Sequence, residues 1–474
     1  MALLSSAAAS CCSQLLSSLG ASQVSFPNST VYIAAQSSYW SIQESSLIPT
    51  CIVSPMSAQS VSTAVSILSD GECAFAIRGQ THAPAAGFAN IAGGVTLDIT
   101  SLANVSLSPD RSVVSVGAGA SWLSVYAYLD QFNLSVAGGR NGAVGVGGLT
   151  LGGGISHFTA RVGWVCDNVV NFEAVLASGA VVDANATSHP LLFRALKGGG
   201  NNFAVVTRFD LATFPQGDVS VTTLSYDIVE RDSVFGAFTN LTTASPFDTN
   251  VSLVMGLLFN ATSKAWTLSN SAVYTAPNPD PPAFRPLKAI PHLSDTTELT
   301  NLSTFANESA TPPLNWLFWT GTYAASASLM SQSFDILNTS LYNFTVPGGV
   351  VWSVAFEPFP TIISSYAATK GGNSLGTSPA DGNGYILLIS ALWPNSSANS
   401  LVYQTARSAG AQIDALAAVR GQLHRFQYLN YADPTQSPLQ SYGAANVARL
   451  KQASRQYDPD GVFQTFVPGG FKLS

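Results

Sequence analysis

The sequence predicts an α+β protein of two parts with a tail that changes character again. Three observations carry this reading. Short β-rich runs alternate with helix-period stretches over residues 44–217, and Thr/Ser/Val-rich strands with interrupted helices fill 218–425. One stretch of helical period then closes the chain within 426–474, and residues 1–43 stand as an N-terminal extension. A chain of 474 residues has ample length for two domains and a large core.

In order, residues 57–69 follow Pro55 and place small and apolar residues at helical spacing. Residues 74–77 read as a short buried strand, 95–99 and 113–116 as two more, and 122–132 as an amphipathic helix. The runs 169–177 and 204–214 are β-rich, the second reached through Lys197-Gly198-Gly199-Gly200. The proline-rich segment 276–287 reads as a loop. Val447, Leu450 and Ala453 give 442–457 helical spacing, which ends before Asp458-Pro459.

Composition narrows the function. Hydrophobic residues make up 46% and charged residues 9%, with net charge −7, so no basic stripe exists to neutralise nucleic-acid phosphates. Sequons at Asn28, Asn104, Asn133, Asn185, Asn240, Asn250, Asn260, Asn301, Asn307, Asn338, Asn343 and Asn395 would let glycans solubilise so weakly charged a surface, so a secreted glycoprotein is expected. The five cysteines are an odd number, which leaves at least one thiol unpaired, and a bridge from Cys11 or Cys12 to Cys51 is expected. No Cys-x-x-Cys or histidine spacing points to a metal. Residues 1–9 are mildly apolar but lack a basic n-region and a full h-region, and read as the stub of a trimmed signal. No apolar run reaches membrane-spanning length.

The chemistry concentrates in Arg78-Gly79-Gln80-Thr81-His82 and in the glycines at 138, 139, 142, 145, 147, 148, 152, 153 and 154. Glycine lets main chain approach a ligand, and successive N–H groups form a nest for diphosphate oxygens. A histidine beside such a cradle points to a large phosphate-bearing cofactor. No cluster fits Gly-x-Gly-x-x-Gly, because Thr150 and His157 stand near where a closing glycine belongs, and no P-loop occurs. Gly372-Asn373-Ser374-Leu375-Gly376 matches the hydrolase elbow, but loop chemistry flanks it where a strand and a helix are needed, and it reads as a mobile loop.

At this point the chain resembles the FAD-linked oxidases with a PCMH-type (vanillyl-alcohol-oxidase-like) FAD domain, in their berberine-bridge-enzyme-like branch. Five segments carry the resemblance in order. They are Arg78–His82; Val144-Gly145-Val146-Gly147-Gly148 with Gly152-Gly153-Gly154; Gly163-Trp164-Val165-Cys166-Asp167-Asn168-Val169; the run from Leu192 to Phe203; and Tyr428-Leu429-Asn430-Tyr431-Ala432-Asp433 with Tyr442, Gly443, Asn446, Arg449 and Leu450.

The resemblance implies a two-subdomain FAD-binding domain over 44–217, a substrate domain on an antiparallel sheet with flanking helices over 218–425, and a C-terminal segment, 426–474, that returns to the FAD domain. It implies FAD bound through an 8α-histidyl link at His82. Asn141 stands where many relatives carry a second attaching cysteine, so single attachment is expected. The implied cofactor contacts are Arg78, Gly79, Gln80, Thr81, Gly87, Gly138, Gly139, Asn141, Val144, Gly145, Gly147, Gly148, Gly152, Gly153, Asn168, Val169, Asn430 and Asn446. Gln80 and Thr81 depart from the family's two glycines. Cys166 is expected to be a structural or disulfide thiol. Val144 matches a position governing oxygen access, where a small side chain favours an oxidase.

Tyr431 matches the catalytic tyrosine, with Tyr428 and Asn430 beside it. A phenol of ordinary pKa about 10 needs a nearby Arg or Lys, or donors of the flavin pocket, to act as a base. His157 is a further candidate for the pocket, and Trp316, Phe318, Trp319, Trp352 and Phe356 are expected to roof it. The implied reaction removes hydride from a small organic molecule, preferably an apolar secondary metabolite, and molecular oxygen reoxidises the cofactor to hydrogen peroxide. The alternatives are an oligosaccharide oxidase of the same family and a flavoprotein that isomerises or cyclises its ligand without net redox. A monomer without nucleic-acid or membrane partners is expected.

Overall fold

Three sheets organise the molecule, and the gap between two of them and the third makes the site. The structure, a computed structural model, describes residues 2–307 and 313–473. Two small sheets belong to the first part. One is ordered Val24–Ser25, Cys51–Val53, Val95–Asp98, Phe75–Arg78, parallel except at its first pairing. The other is antiparallel, ordered Val105–Leu107, Val113–Gly117, Val205–Ala212, Val169–Val175, Val181–Asn185. The helix Ala58–Asp70 begins at Ser57, whose side chain accepts the Ser60 N–H, and it buries Val61, Ala64, Val65 and Leu68. The predicted strands and helices of this part fall within a few residues of the observed ones. The α+β class is the one expected.

The second part is an eight-stranded antiparallel sheet from Val219 to His424, with Val351–Phe359 in its interior between Val251–Asn260 and Gly384–Trp393. Period-two alternation gives the sheet two different faces. Val251, Leu253, Met255, Leu257 and Phe259 share a core with the helices Arg231–Thr242, Ala327–Leu341 and Asn399–Val419. Trp319, Trp352 and Phe356 lie in this same core, so three of the five aromatics expected to roof a pocket pack under helices instead. Trp316 and Phe318 alternate with Trp319 and point the other way, towards Trp40 and Tyr431.

The remaining differences have local causes. Segment 276–287 is not all loop: Pro282–Phe284 is a 3₁₀ turn and Arg285–Lys288 a single helical turn, anchored by buried Phe284 and Leu287. The loop around Ser374 is not mobile. Asn373, Ser374 and Leu375 are buried, the Ser374 N–H donates to the Lys197 carbonyl at 2.9 Å, and Asn373 Nδ2 donates to Asp167 at 2.8 Å. Its flanks are the 3₁₀ turns Ala367–Lys370 and Pro379–Asp381, which excludes the hydrolase elbow.

At the N-terminus the helix Ala2–Leu19 packs on Ala58–Asp70. Two disulfides pin it, Cys12–Cys51 as expected and Cys11–Cys73 in addition. They close loops of 39 and 62 residues, each stabilising by about 4 kcal/mol on chain-entropy grounds. Cys166 is free and fully buried, and burial raises its pKa well above that of an ordinary thiol. No helix among the described residues is long and apolar enough to cross a membrane. A thiol reagent should therefore label no cysteine in the native protein and one in the denatured, unreduced protein. Two or more labelled cysteines after denaturation would contradict this pairing.

Candidate active site

The strand Phe75–Arg78 delivers the histidine turn. Arg78 pairs with Asp98 on the neighbouring parallel strand at 3.1 Å and covers the Tyr39 ring at 4.5 Å. It thereby anchors the turn from behind. Gln80 Nε2 donates to the Gly119 carbonyl at 2.7 Å. Thr81 has φ +61°, a left-handed conformation that a β-branched residue rarely adopts. Its Oγ1 accepts the Trp40 N–H at 3.2 Å and donates to the Ser38 carbonyl at 3.3 Å, which holds the strained turn. His82 stacks on Trp40. Burial lowers its pKa to about 4, so the imidazole is neutral at physiological pH.

The glycine-rich loop packs beside this turn. A Cβ at Gly152 would lie 2.0 Å from Asn430 Oδ1, so Gly152 makes room for the Asn430 side chain, whose Nδ2 donates to the Leu149 carbonyl and to Tyr428 Oη at 3.0 Å each. A Cβ at Gly148 would meet nothing within 4 Å, because that position opens onto a cavity of about 430 Å³. Gly79, Gln80, Thr81, His82, Asn141, Val144, Gly145, Gly147, Gly148, Gly152, Tyr428, Asn430 and Tyr431 all line this cavity.

The other expected contacts lie away from it, for steric reasons. Gly138 and Gly139 lie against the Trp122 indole, and Gly153 against Leu375. The Gly87 N–H is held by the Glu44 carboxylate at 3.2 Å, and it is the neighbouring Phe88 and Ala89 that reach the cavity. Asn168 Nδ2 donates to the Val162 and Trp164 carbonyls, Val169 is buried at the start of a strand, and Asn446 bonds to the Tyr442 carbonyl and to Arg449. Arg78, as described, is an anchor. These residues shape the loops whose other faces form the wall.

Two residues not singled out from the sequence dominate the electrostatics. Arg140 Nη2 lies 2.6 Å from Glu357 Oε1 and donates to Tyr431 Oη, also at 2.6 Å. Tyr431 Oη in turn donates to Glu357 Oε1 at 3.0 Å. Burial works against the Arg140 charge, but Glu357 and Tyr431 more than offset it and raise its pKa. Burial raises the Tyr431 pKa well above that of an ordinary phenol. Arg140 opposes that rise, and Glu357 and Tyr428 add to it. A cation does stand beside Tyr431, yet burial, together with the carboxylate that shares that cation, keeps the phenol protonated at neutral pH. The Tyr428 ring edge meets Tyr431 at 4.8 Å, and its Oη accepts the Ile155 N–H at 3.0 Å, with burial raising its pKa too.

His157 does not line the main cavity. It faces a smaller crevice behind Arg140 and Glu357, with Nδ1 3.1 Å from Ser252 Oγ and a pKa of about 3 imposed by burial and by Arg140. Glu357 is the only charged residue in Val351–Phe359, and Arg140 the only one in the glycine run. A lone charge in such surroundings is the signal that marks both. Substituting Glu357 by Leu should lower stability by about 3–5 kcal/mol, because Arg140 is left buried and unpaired. An unchanged denaturation midpoint would show that the pair is not closed.

The cavity fits FAD: glycine-lined main chain for a diphosphate, apolar side chains in its middle, and a neutral imidazole on its wall. Comparison with known proteins agrees. Residues 49–185 match the FAD binding domain family, and 427–465 match the berberine and berberine-like family. The FAD-dependent monooxygenase sdcF of Emericella nidulans is 36% identical over 98% of each chain. The FAD-dependent monooxygenase CTB5 of Cercospora beticola is 33% identical over 98% of this chain and 92% of its own length. The fold is shared with BBE-like 1 of Physcomitrella patens (TM-score 0.80, 18% identity) and with the xylooligosaccharide oxidase of Myceliophthora thermophila C1 (TM-score 0.78, 18% identity), each over 98% of this chain and 99% of the other.

Proposed function

The chain belongs to the berberine-like family of FAD-dependent oxidoreductases, and we propose that within it this protein is an oxidase of a small, largely apolar organic molecule bearing a hydroxyl group or an activated C–H. The observation that carries this reading is the Tyr431–Arg140–Glu357 cluster, reached through the cavity that His82 also lines. Residues 44–217 and 426–474 hold the cofactor in this reading, and 218–425 bind the substrate. His82 is the single point of covalent attachment, through the flavin 8α carbon, and Asn141 takes no part in a second bond. The glycines at 79, 145, 147 and 148 line the wall where a diphosphate would lie, and Asn430 and Val144 line the part of the wall that would hold the ring system.

When bound, FAD supplies the two-electron acceptor that takes hydride from the substrate carbon. The protein's part is the proton. Tyr431 accepts it from the substrate hydroxyl while passing its own to Glu357 along the 3.0 Å bond, so no free phenolate forms. Arg140 keeps both oxygens in register, and Tyr428 holds the Tyr431 ring in place.

Phe318 and Leu388 supply apolar walls beside this cluster, which favours a flat apolar substrate over a sugar. Val144 on the cavity wall supports molecular oxygen as the acceptor. Twelve sequons and two disulfides support a secreted glycoprotein, and a monomer is the assembly proposed.

His82→Ala should release all flavin on acid precipitation, whereas flavin that remains peptide-bound would remove His82 from this role. Tyr431→Phe and Glu357→Gln should keep flavin but lower turnover on an aerobic substrate panel by roughly 10²–10⁴-fold. Peroxide should appear in a 1:1 ratio with product, and product carrying label from ¹⁸O₂ would indicate oxygen insertion instead.

A further inference from the structure

Residues 38–44 run from the histidine turn to the eight-stranded sheet and bond to both. On the cofactor side, Thr81 Oγ1 bonds to the Ser38 carbonyl and the Trp40 N–H, and Ser41 Oγ donates to the Ala83 carbonyl at 3.4 Å. The strap therefore grips the residues immediately before and after His82. On the sheet side the Ile42 N–H donates to the Leu314 carbonyl at 2.9 Å. Gln43 clamps the Trp316 main chain twice, Nε2 donating to its carbonyl at 2.6 Å and Oε1 accepting its N–H at 3.1 Å. Between these anchors lies the Trp40 indole. It stacks on the His82 imidazole at 4.1 Å and 18°, and on the Trp316 indole at 4.1 Å and 24°. Trp40 is the ring the other two share.

We propose that Trp40 is a positioning residue for flavin attachment, its indole face fixing the plane of the His82 imidazole so that a ring nitrogen is aimed into the cavity. The inference rests on the reading of His82 as the attachment residue. The terminal torsion of a histidine is broad, so the ring needs an external constraint to hold one orientation. The face-to-face stack on the Trp40 indole supplies such a constraint. Trp316 backs the indole, and Gln43 holds Trp316.

Bond formation needs the nitrogen lone pair aligned on the methyl carbon at near-contact distance, a condition that a small rotation of the ring destroys. In the net step a bond forms between a His82 ring nitrogen and the flavin 8α carbon. The imidazole N–H hydrogen and one methyl hydrogen leave with two electrons, and molecular oxygen takes them up as hydrogen peroxide. Trp40 takes no part in this transfer and acts only through His82.

The test compares wild-type protein, Trp40→Phe and Trp40→Ala, prepared identically and incubated aerobically with added FAD. Total bound flavin and the acid-resistant, peptide-bound fraction are followed over time. Trp40→Ala should bind as much total flavin as wild type while its attached fraction grows about 10-fold more slowly or worse. Trp40→Phe, which keeps a ring face, should attach at close to the wild-type rate. A purely structural role would lower total flavin in step with attachment, and Phe would not selectively rescue attachment.

Attachment in Trp40→Ala at the wild-type rate overturns the inference, and so does a Phe variant as slow as Ala. Wild-type flavin that is entirely acid-extractable has a different signature. It overturns the His82 reading and this inference with it. Should Trp40→Ala not fold, as judged by circular dichroism, Trp40→Leu carries the same expectation, since it keeps apolar bulk without a ring face.

Discussion

A buried ion pair holds the two halves of this molecule in functional register. Arg140 comes from the glycine-rich loop of the cofactor half, Glu357 from an interior strand of the eight-stranded sheet, and the Tyr431 phenol from the C-terminal segment closes the pair. Burying two charges is costly unless each is paired and hydrogen-bonded, so this contact tolerates little displacement of one half against the other. It also fixes strand register. A slip of one residue in Val351–Phe359 would turn Glu357 under the helices and present Phe356 to Arg140.

Other contacts across the fold serve the same arrangement. The N-terminal helix is bonded covalently to Cys51 and Cys73, each beside or within the parallel sheet that carries the histidine turn. Glu44 accepts the Gly87 and Ala89 N–H groups and so shapes the loop that follows His82. Burial raises its pKa to about 7, with the backbone donors opposing that rise. Gly152 and Asn430 are fitted to each other across more than half of the chain, since any side chain at 152 would displace the amide that steadies Tyr428. His82, Arg140 and Tyr431 thus reach one cavity from three separate stretches of sequence, with Glu357 behind them from a fourth.

How much of this is legible in the sequence depends on how local each signal is. The strands around 75–78 and 205–212, the helix after Pro55 and the histidine turn are written in residues that touch their own neighbours, and they read out well. The glycine-rich part of the cavity lining reads out too, because glycine clusters mark close backbone approach. Glycine has a second use, however: at 138 and 139 it makes room for the Trp122 indole rather than for a ligand. Composition alone does not separate the two uses. The Arg140–Glu357 pair joins residues 217 positions apart, so neither segment announces its partner. Aromatic content does not by itself mark the roof, because strand alternation sends Trp319, Trp352 and Phe356 to the helix side. The second disulfide and the burial of the Ser374 loop likewise depend on tertiary packing.

The most direct test of this account is a crystal structure of the flavin-loaded protein. Isoalloxazine density should be continuous with a ring nitrogen of His82, the substrate face of the ring turned towards Tyr431 Oη, and the Arg140–Glu357 pair closed behind it. A flavin ring lying away from Tyr431, or an Arg140 side chain parted from Glu357 in the loaded protein, would contradict it.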